Sequence, residues 1–155
     1  MPVVAFEMRT ALPPERVLAM LTDFSPRRPD LWPTLAPELY EVYEVQPTCA
    51  DVKEGSPSPT RMWEQAHYDW SVPGCVRWTV RESNFFAPGS YTEVTVRRST
   101  EAGSELHVES NRTGVGLAAK ILIGLNALTG GSFLKTAVFQ RAFDQEFRRR
   151  SASAI

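Results

Sequence analysis

Glu64 and Tyr68 are the residues of this sequence best placed to do chemistry. They put a carboxylate and a phenol four positions apart in a run, Met62–Val72, that is otherwise rich in aromatic and apolar side chains. On a β-strand successive side chains alternate between faces, so residues four apart share one. A few polar groups in an apolar pocket are what a small-molecule site needs to orient its ligand. Buried and neutral, Glu64 would serve as an acid or a hydrogen-bond donor. The competing reading pairs Glu64 with an arginine or turns it to solvent through a bulge, because polar residues interrupt many strands without a chemical role.

Other catalytic constellations are missing. No GxSxG elbow is present, and Pro88-Gly89-Ser90 and Gly131-Ser132 lack the strand-to-helix context that elbow requires. Gly114–Lys120 holds two glycines and a lysine but not the spacing of a phosphate loop. Cys49 and Cys75 form no CxxC pair and have no histidine at metal-ligand spacing. Reduced thiols, no metal and no cofactor are therefore expected.

The elements that must position Glu64 and Tyr68 follow from periodicity and turn signals. Val3–Met8 reads as a first strand. Pro13, Pro14 and Glu15 suit the opening turn of a short helix running to about Asp23. Prolines 26, 29 and 33 then permit only short helical turns. Leu39–Val45, Cys49–Lys53, Met62–Val72, Val76–Arg81, Tyr91–Arg98 and Glu105–Asn111 read as strands. Short connections make their pairing antiparallel. From Gly114 to Arg150 the chain reads as helix, with Gly130-Gly131 as the interruption or kink. In the first part Leu117, Ile121, Leu125 and Leu128 form a stripe expected to face the core, with Leu122 and Ile123 off it. In the second part Phe139, Phe143 and Phe147 recur every four residues, and that face is expected to lie on the sheet.

The hairpin at Pro73-Gly74 sets which side chains face inward. A three-residue loop pairs Val72 with Val76, so that Tyr68, Trp70, Val72, Val76, Trp78 and Val80 share one face with Met62, Glu64 and Ala66. Arg61, Gln65, His67, Asp69, Arg77, Thr79 and Arg81 take the other. A two-residue loop would mix the sets, and the hydrophobic pattern decides against it. His67 and His107 fall on the polar face and are expected to be solvated.

Composition narrows the function classes. The 155 residues suit a single domain, residues 1–150, with 151–155 as a tail. Seventeen Lys and Arg against eighteen Asp and Glu give a formal charge of −1, without the basic footprint of a nucleic-acid binder. The start, Met1–Arg9, lacks the pattern of a signal peptide, so the cytoplasm is the expected location. Val115–Leu134 carries Lys120, Asn126 and several glycines, which argues against membrane insertion and leaves transient membrane contact open. Oligomeric state is left open.

The order strand, two short helices, six strands and long helix resembles the helix-grip fold of the START/SRPBCC superfamily, which includes polyketide cyclase/dehydrase-like and birch-pollen-allergen-like proteins. Ala11–Phe24 is similar to that group's first helix. Tyr68–Gly74 followed by Ser83–Ser90 resembles a bacterial branch of unassigned function. The resemblance implies an α+β fold in which a seven-stranded antiparallel sheet wraps around the C-terminal helix and encloses a cavity for a hydrophobic molecule. Glu64, Tyr68, Trp70, Trp78, Val80, Asn84, Phe85, Tyr91, Phe139 and Phe143 are the expected ligand-binding residues, with Glu64 the one catalytic candidate. Three functions stay open: a carrier of a lipid, isoprenoid or polyketide-like ligand; a polyketide cyclase/aromatase-type enzyme; and a ligand-free interaction module docking through Leu122 and Ile123.

Overall fold

The computed structural model describes residues 3–57, 61–128 and 132–153. Strand β1 (Val4–Thr10) leads into α1 (Pro14–Leu21), the single turn α2 (Arg28–Leu31) and a 3-10 turn at Pro37–Leu39. Six strands follow: β2 (Glu41–Val45), β3 (Cys49–Ser56), β4 (Met62–Asp69), β5 (Cys75–Ser83), β6 (Tyr91–Arg98) and β7 (Ser104–Asn111). Helices α3 (Gly116–Leu128) and α4 (Ser132–Ser153) complete the chain. The strands form one antiparallel sheet in the order β1-β7-β6-β5-β4-β3-β2, so the first strand pairs with the last. This is the α+β, seven-stranded arrangement expected from the element order.

One face of the sheet carries the core. Ala50 and Val52, Ala66 and Tyr68, Val76, Val94 and Val96, and Leu106 and Val108 are all buried there. Their two-residue spacing on each strand is the alternation of a sheet wetted on one side only. Helix α4 packs on β1 and buries Phe139, Ala142, Phe143 and Glu146. Phe147 is 46% exposed, contrary to the expectation of a four-residue stripe. Each four-residue step advances about 40° around a helix of 3.6 residues per turn, so the third phenylalanine has rotated off the contact face. Buried Glu146 is instead held by Arg16 of α1 at 2.6 Å, tying the two helices together.

Helix α3 departs from expectation more strongly. Leu117 is 75% exposed, Ile121, Leu122 and Leu125 are also exposed, and Ala119 is buried; the side chain of Leu128, the fourth member of the expected stripe, lies outside those described. The inner face of the sheet is occupied by α4 and by the α1–α2 segment, which leaves Leu117, Ile121 and Leu125 of α3 outside the core. Gly130 and Gly131, expected to interrupt the helix, lie outside the described residues.

The β4–β5 register pairs Tyr68 with Trp78 and Ala66 with Val80. The register is therefore offset by two residues from the expected one, in which Tyr68 would face Val80, and Val72 is 61% exposed rather than inward. Because the slip is two residues, the faces of Tyr68, Trp78 and Val80 are unchanged.

Candidate functional site

A cleft of about 250 Å³ opens between the core-facing side of β3–β5, the α1–α2 segment and α4. Leu21, Trp32, Leu35 and Phe139 line it from the helical side, and Met62 and Trp78 from the sheet. Aromatic contacts fix these walls: Trp32 meets Phe139 edge-on at 5.7 Å, and Trp78 stacks on Tyr68 at 5.2 Å. Into this apolar surface project two carboxylates, Glu54 of β3 and Glu64 of β4.

Strand alternation explains why both point inward. Glu54 continues the series Ala50, Val52, and Glu64 continues the series Tyr68, Ala66; the two glutamates are direct cross-strand partners. Like charges directly opposite on a sheet repel. Each is countered by its own arginine.

Arg28 serves Glu54. Its Nε donates to Glu54 Oε1 at 2.9 Å, and its Nη2 donates to the Tyr68 hydroxyl at 3.3 Å. Its Nη1 is turned to the end of α1, donating to the carbonyls of Asp23 at 3.0 Å, Leu21 at 3.2 Å and Met20 at 3.4 Å. A cation at a helix C-terminus satisfies carbonyls that have no partner within the helix and complements the negative end of the dipole. The guanidinium also lies 4.5 Å from the Phe24 ring centroid. Burial opposes its charge, but Glu54 and Tyr68 outweigh that and raise its pKa. Burial pushes the Tyr68 phenol well above its ordinary value, and neighbouring Glu54 adds to the shift.

Arg112, just beyond β7, serves Glu64. Its Nη1 and Nη2 donate to the two carboxylate oxygens at 2.5 and 3.4 Å, and its Nε donates to Thr92 Oγ1 at 3.1 Å. Thr92 in turn meets Ser110 at 3.1 Å, so a hydroxyl ladder on the buried face fixes the arginine. Both Glu64 oxygens accept from a guanidinium, which is the arginine-paired arrangement rather than that of a lone neutral acid.

The expected site residues divide accordingly. Glu64, Tyr68, Trp78 and Phe139 line the cleft. Val80 and Phe143 are fully buried in the core beside it. Trp70 stacks on Phe24 at 5.8 Å and donates its indole N–H to the Pro47 carbonyl, away from the cleft lining. Asn84 is exposed and structural: its side chain accepts from the Trp63 amide and donates to the Arg61 carbonyl, fastening the β5–β6 loop to β4. Within that loop Phe86 lines the cleft, and Phe85 packs against Phe86 edge-on at 5.0 Å. Tyr91 lies on the opposite face of the sheet, where its hydroxyl donates to Glu109 at 2.6 Å and Arg77 covers its ring. It shares parity with Glu93 and Thr95, whereas Thr92, Val94 and Val96 turn inward. His67 and His107 are also on that outer face, meeting Asp51 and Glu7 across the strands.

Sequence reasoning missed Glu54, Arg112 and Arg28. Glu54 and Arg112 carry a legible signal, since each continues an inward alternation by two. Arg28 has none, because its partners come from three separate elements.

A scan of the sequence against family models finds no match, and none of the curated proteins matches it. Solved structures do. The Zhui aromatase/cyclase from a Streptomyces species superposes with a TM-score of 0.70 at 13% identity, over 91% of this chain and 93% of that one. A START superfamily protein from Mycobacterium smegmatis gives 0.61 at 12% identity, over 88% and 96%. The major latex-like protein 151 of Panax ginseng gives 0.60 at 10% identity, over 88% and 97%. At these identities the likeness establishes the fold, and it is the helix-grip fold that the element order resembles. No helix among the described residues is long and apolar enough to cross a membrane.

Proposed function

We propose that this protein binds a small hydrophobic molecule in the cleft between β3–β5 and α4. The observation that carries the reading is the cleft's make-up: aromatic and aliphatic walls around two carboxylates fixed by arginines. Apolar burial would supply affinity, at about 25 cal/mol per Å² removed from water, and the polar groups would set orientation. Size favours a compact ligand. A cavity of about 150 Å³ takes benzene, so 250 Å³ scales to about ten non-hydrogen atoms. That suits a one- or two-ring aromatic or a short isoprenoid better than a diacyl lipid or a full polyketide chain.

A cyclase-type reaction would ask Glu64 to move a proton. With both of its oxygens engaged by Arg112, the geometry supports binding over acid catalysis.

Native mass spectrometry of freshly purified protein, compared with its denatured mass, tests the reading. A mass excess that vanishes on denaturation is expected, and a Leu35→Trp variant that fills the cleft should lose it while keeping its circular dichroism spectrum. Absence of an excess, together with no saturable change in tryptophan emission on titration with naphthalene, 2-naphthol or 2-naphthoate, would overturn it.

A further inference from the structure

The hydrogen-bonding capacity left over in the cleft is specific. Glu54 gives Oε1 to Arg28, and its Oε2 has no partner among the described residues. No side-chain polar atom described is both buried and unpartnered, so Oε2 keeps accessible surface, and Glu54 lines the cleft. The Tyr68 hydroxyl accepts from Arg28, but its own O–H has no acceptor among the described residues. Nε and Nη2, which hold these two groups, form one edge of the Arg28 guanidinium. The spare acceptor and the spare donor therefore lie side by side.

We infer that the cleft takes a neutral, hydroxyl-bearing ring compound of about ten non-hydrogen atoms, whose hydroxyl donates to Glu54 Oε2 and accepts from Tyr68. The assignment rests on the cleft being a ligand site. A hydroxyl both donates and accepts, so it satisfies the two groups at once. An ammonium only donates, and would leave the Tyr68 O–H without an acceptor while losing its own hydration. A carboxylate only accepts, and would become a third anion beside Glu54 and Glu64. The guanidinium nitrogens that could relieve it are already turned to Glu54, Tyr68 and the α1 carbonyls, or to Glu64 and Thr92. Specificity of this kind is strong, because the wrong partner strands a desolvated polar group.

Naphthalene, 2-naphthol and 2-naphthoate, titrated at neutral pH and followed by tryptophan emission, form a matched probe set. Wild-type protein is expected to bind 2-naphthol about tenfold tighter than naphthalene, and 2-naphthoate more weakly than 2-naphthol. In Glu54→Gln and in Tyr68→Phe the advantage of naphthol over naphthalene should shrink to about twofold or less. The wild-type comparison stands even if one variant fails to fold. Equal affinity for naphthol and naphthalene, or tighter binding of naphthoate, would overturn the hydroxyl assignment and leave the cleft as a binding site. Failure of all three probes to bind would overturn the binding reading and this assignment with it.

Discussion

Glu54 and Glu64 stand directly opposite each other on β3 and β4, and each is bonded to a different arginine. The two arginines come from distant parts of the chain: Arg28 from the turn after α1, and Arg112 from the exit of β7. A like-charged cross-strand pair is a local liability. It persists here because the two cations, themselves fixed by carbonyls, hydroxyls and aromatic faces, neutralise it one for one. The same arrangement leaves polar atoms facing an apolar cleft, so the feature that costs stability in isolation is the one that gives the cleft an orientation.

Removal of one member should expose that cost. In Arg112→Met, Glu64 loses both of its guanidinium bonds while still facing Glu54. Loss of about 3 kcal/mol is expected, as for other mostly buried pairs broken on one side. Urea unfolding should show a lower midpoint with an unchanged slope. Adding Glu64→Gln should recover more than half of the loss, since the stranded charge goes with it. A single variant within about 0.5 kcal/mol of wild type would show that solvent already screens the pair.

Much of this site was legible, and the failures have physical causes. Alternation by two placed Glu64, Tyr68 and Trp78 on the inner face, and a two-residue error in the hairpin left that parity intact. Applied to Ala50-Val52-Glu54 and Val108-Ser110-Arg112, the same rule reaches the second carboxylate and its sister's arginine. It also sends Tyr91 outward with Glu93, against the pull of an aromatic ring toward the core. Arg28 was illegible because Pro26-Arg27-Arg28-Pro29 has no period, and its three sets of partners meet only in the folded chain. The α3 stripe misled for a related reason: periodicity says that a helix has an apolar face, not which surface is left to cover it.

Two turn glycines should respond differently to alanine. Gly89 has φ of +91° with open space where a Cβ would sit, so Gly89→Ala should cost only the strained backbone, about 1 kcal/mol. Gly103 has φ of +76°, and a Cβ there would run into the Thr10 carbonyl and the Ala11 backbone. Those atoms lie at and just beyond the end of β1, which pairs with β7 at Thr10 and Ser104, and they have little freedom to move. Gly103→Ala should therefore cost at least twice as much, about 2–4 kcal/mol, by urea unfolding. Equal losses would mean that the β6–β7 turn can shift away from β1.

Alkaline pH should weaken the fold through Tyr40 and Tyr68. Burial raises both phenols, Tyr40 to about 12 and Tyr68 well above the ordinary value. The Tyr40 hydroxyl also needs its proton to donate to the Ser25 carbonyl at 3.1 Å. Above a pH of about 10 the unfolded chain releases these protons while the folded chain keeps them. The unfolded state then binds fewer protons, so stability is intact below that pH and falls as pH rises, over about 10 to 12 for Tyr40 and further for Tyr68. Urea midpoints taken from about pH 8 upward should decline in this window, with a limiting slope of about one proton for each tyrosine. Tyr68→Phe should remove one proton from that slope, which separates its contribution from those of the other tyrosines. An unchanged slope in the variant would mean that Tyr68 ionises as readily in the folded protein as in the unfolded chain.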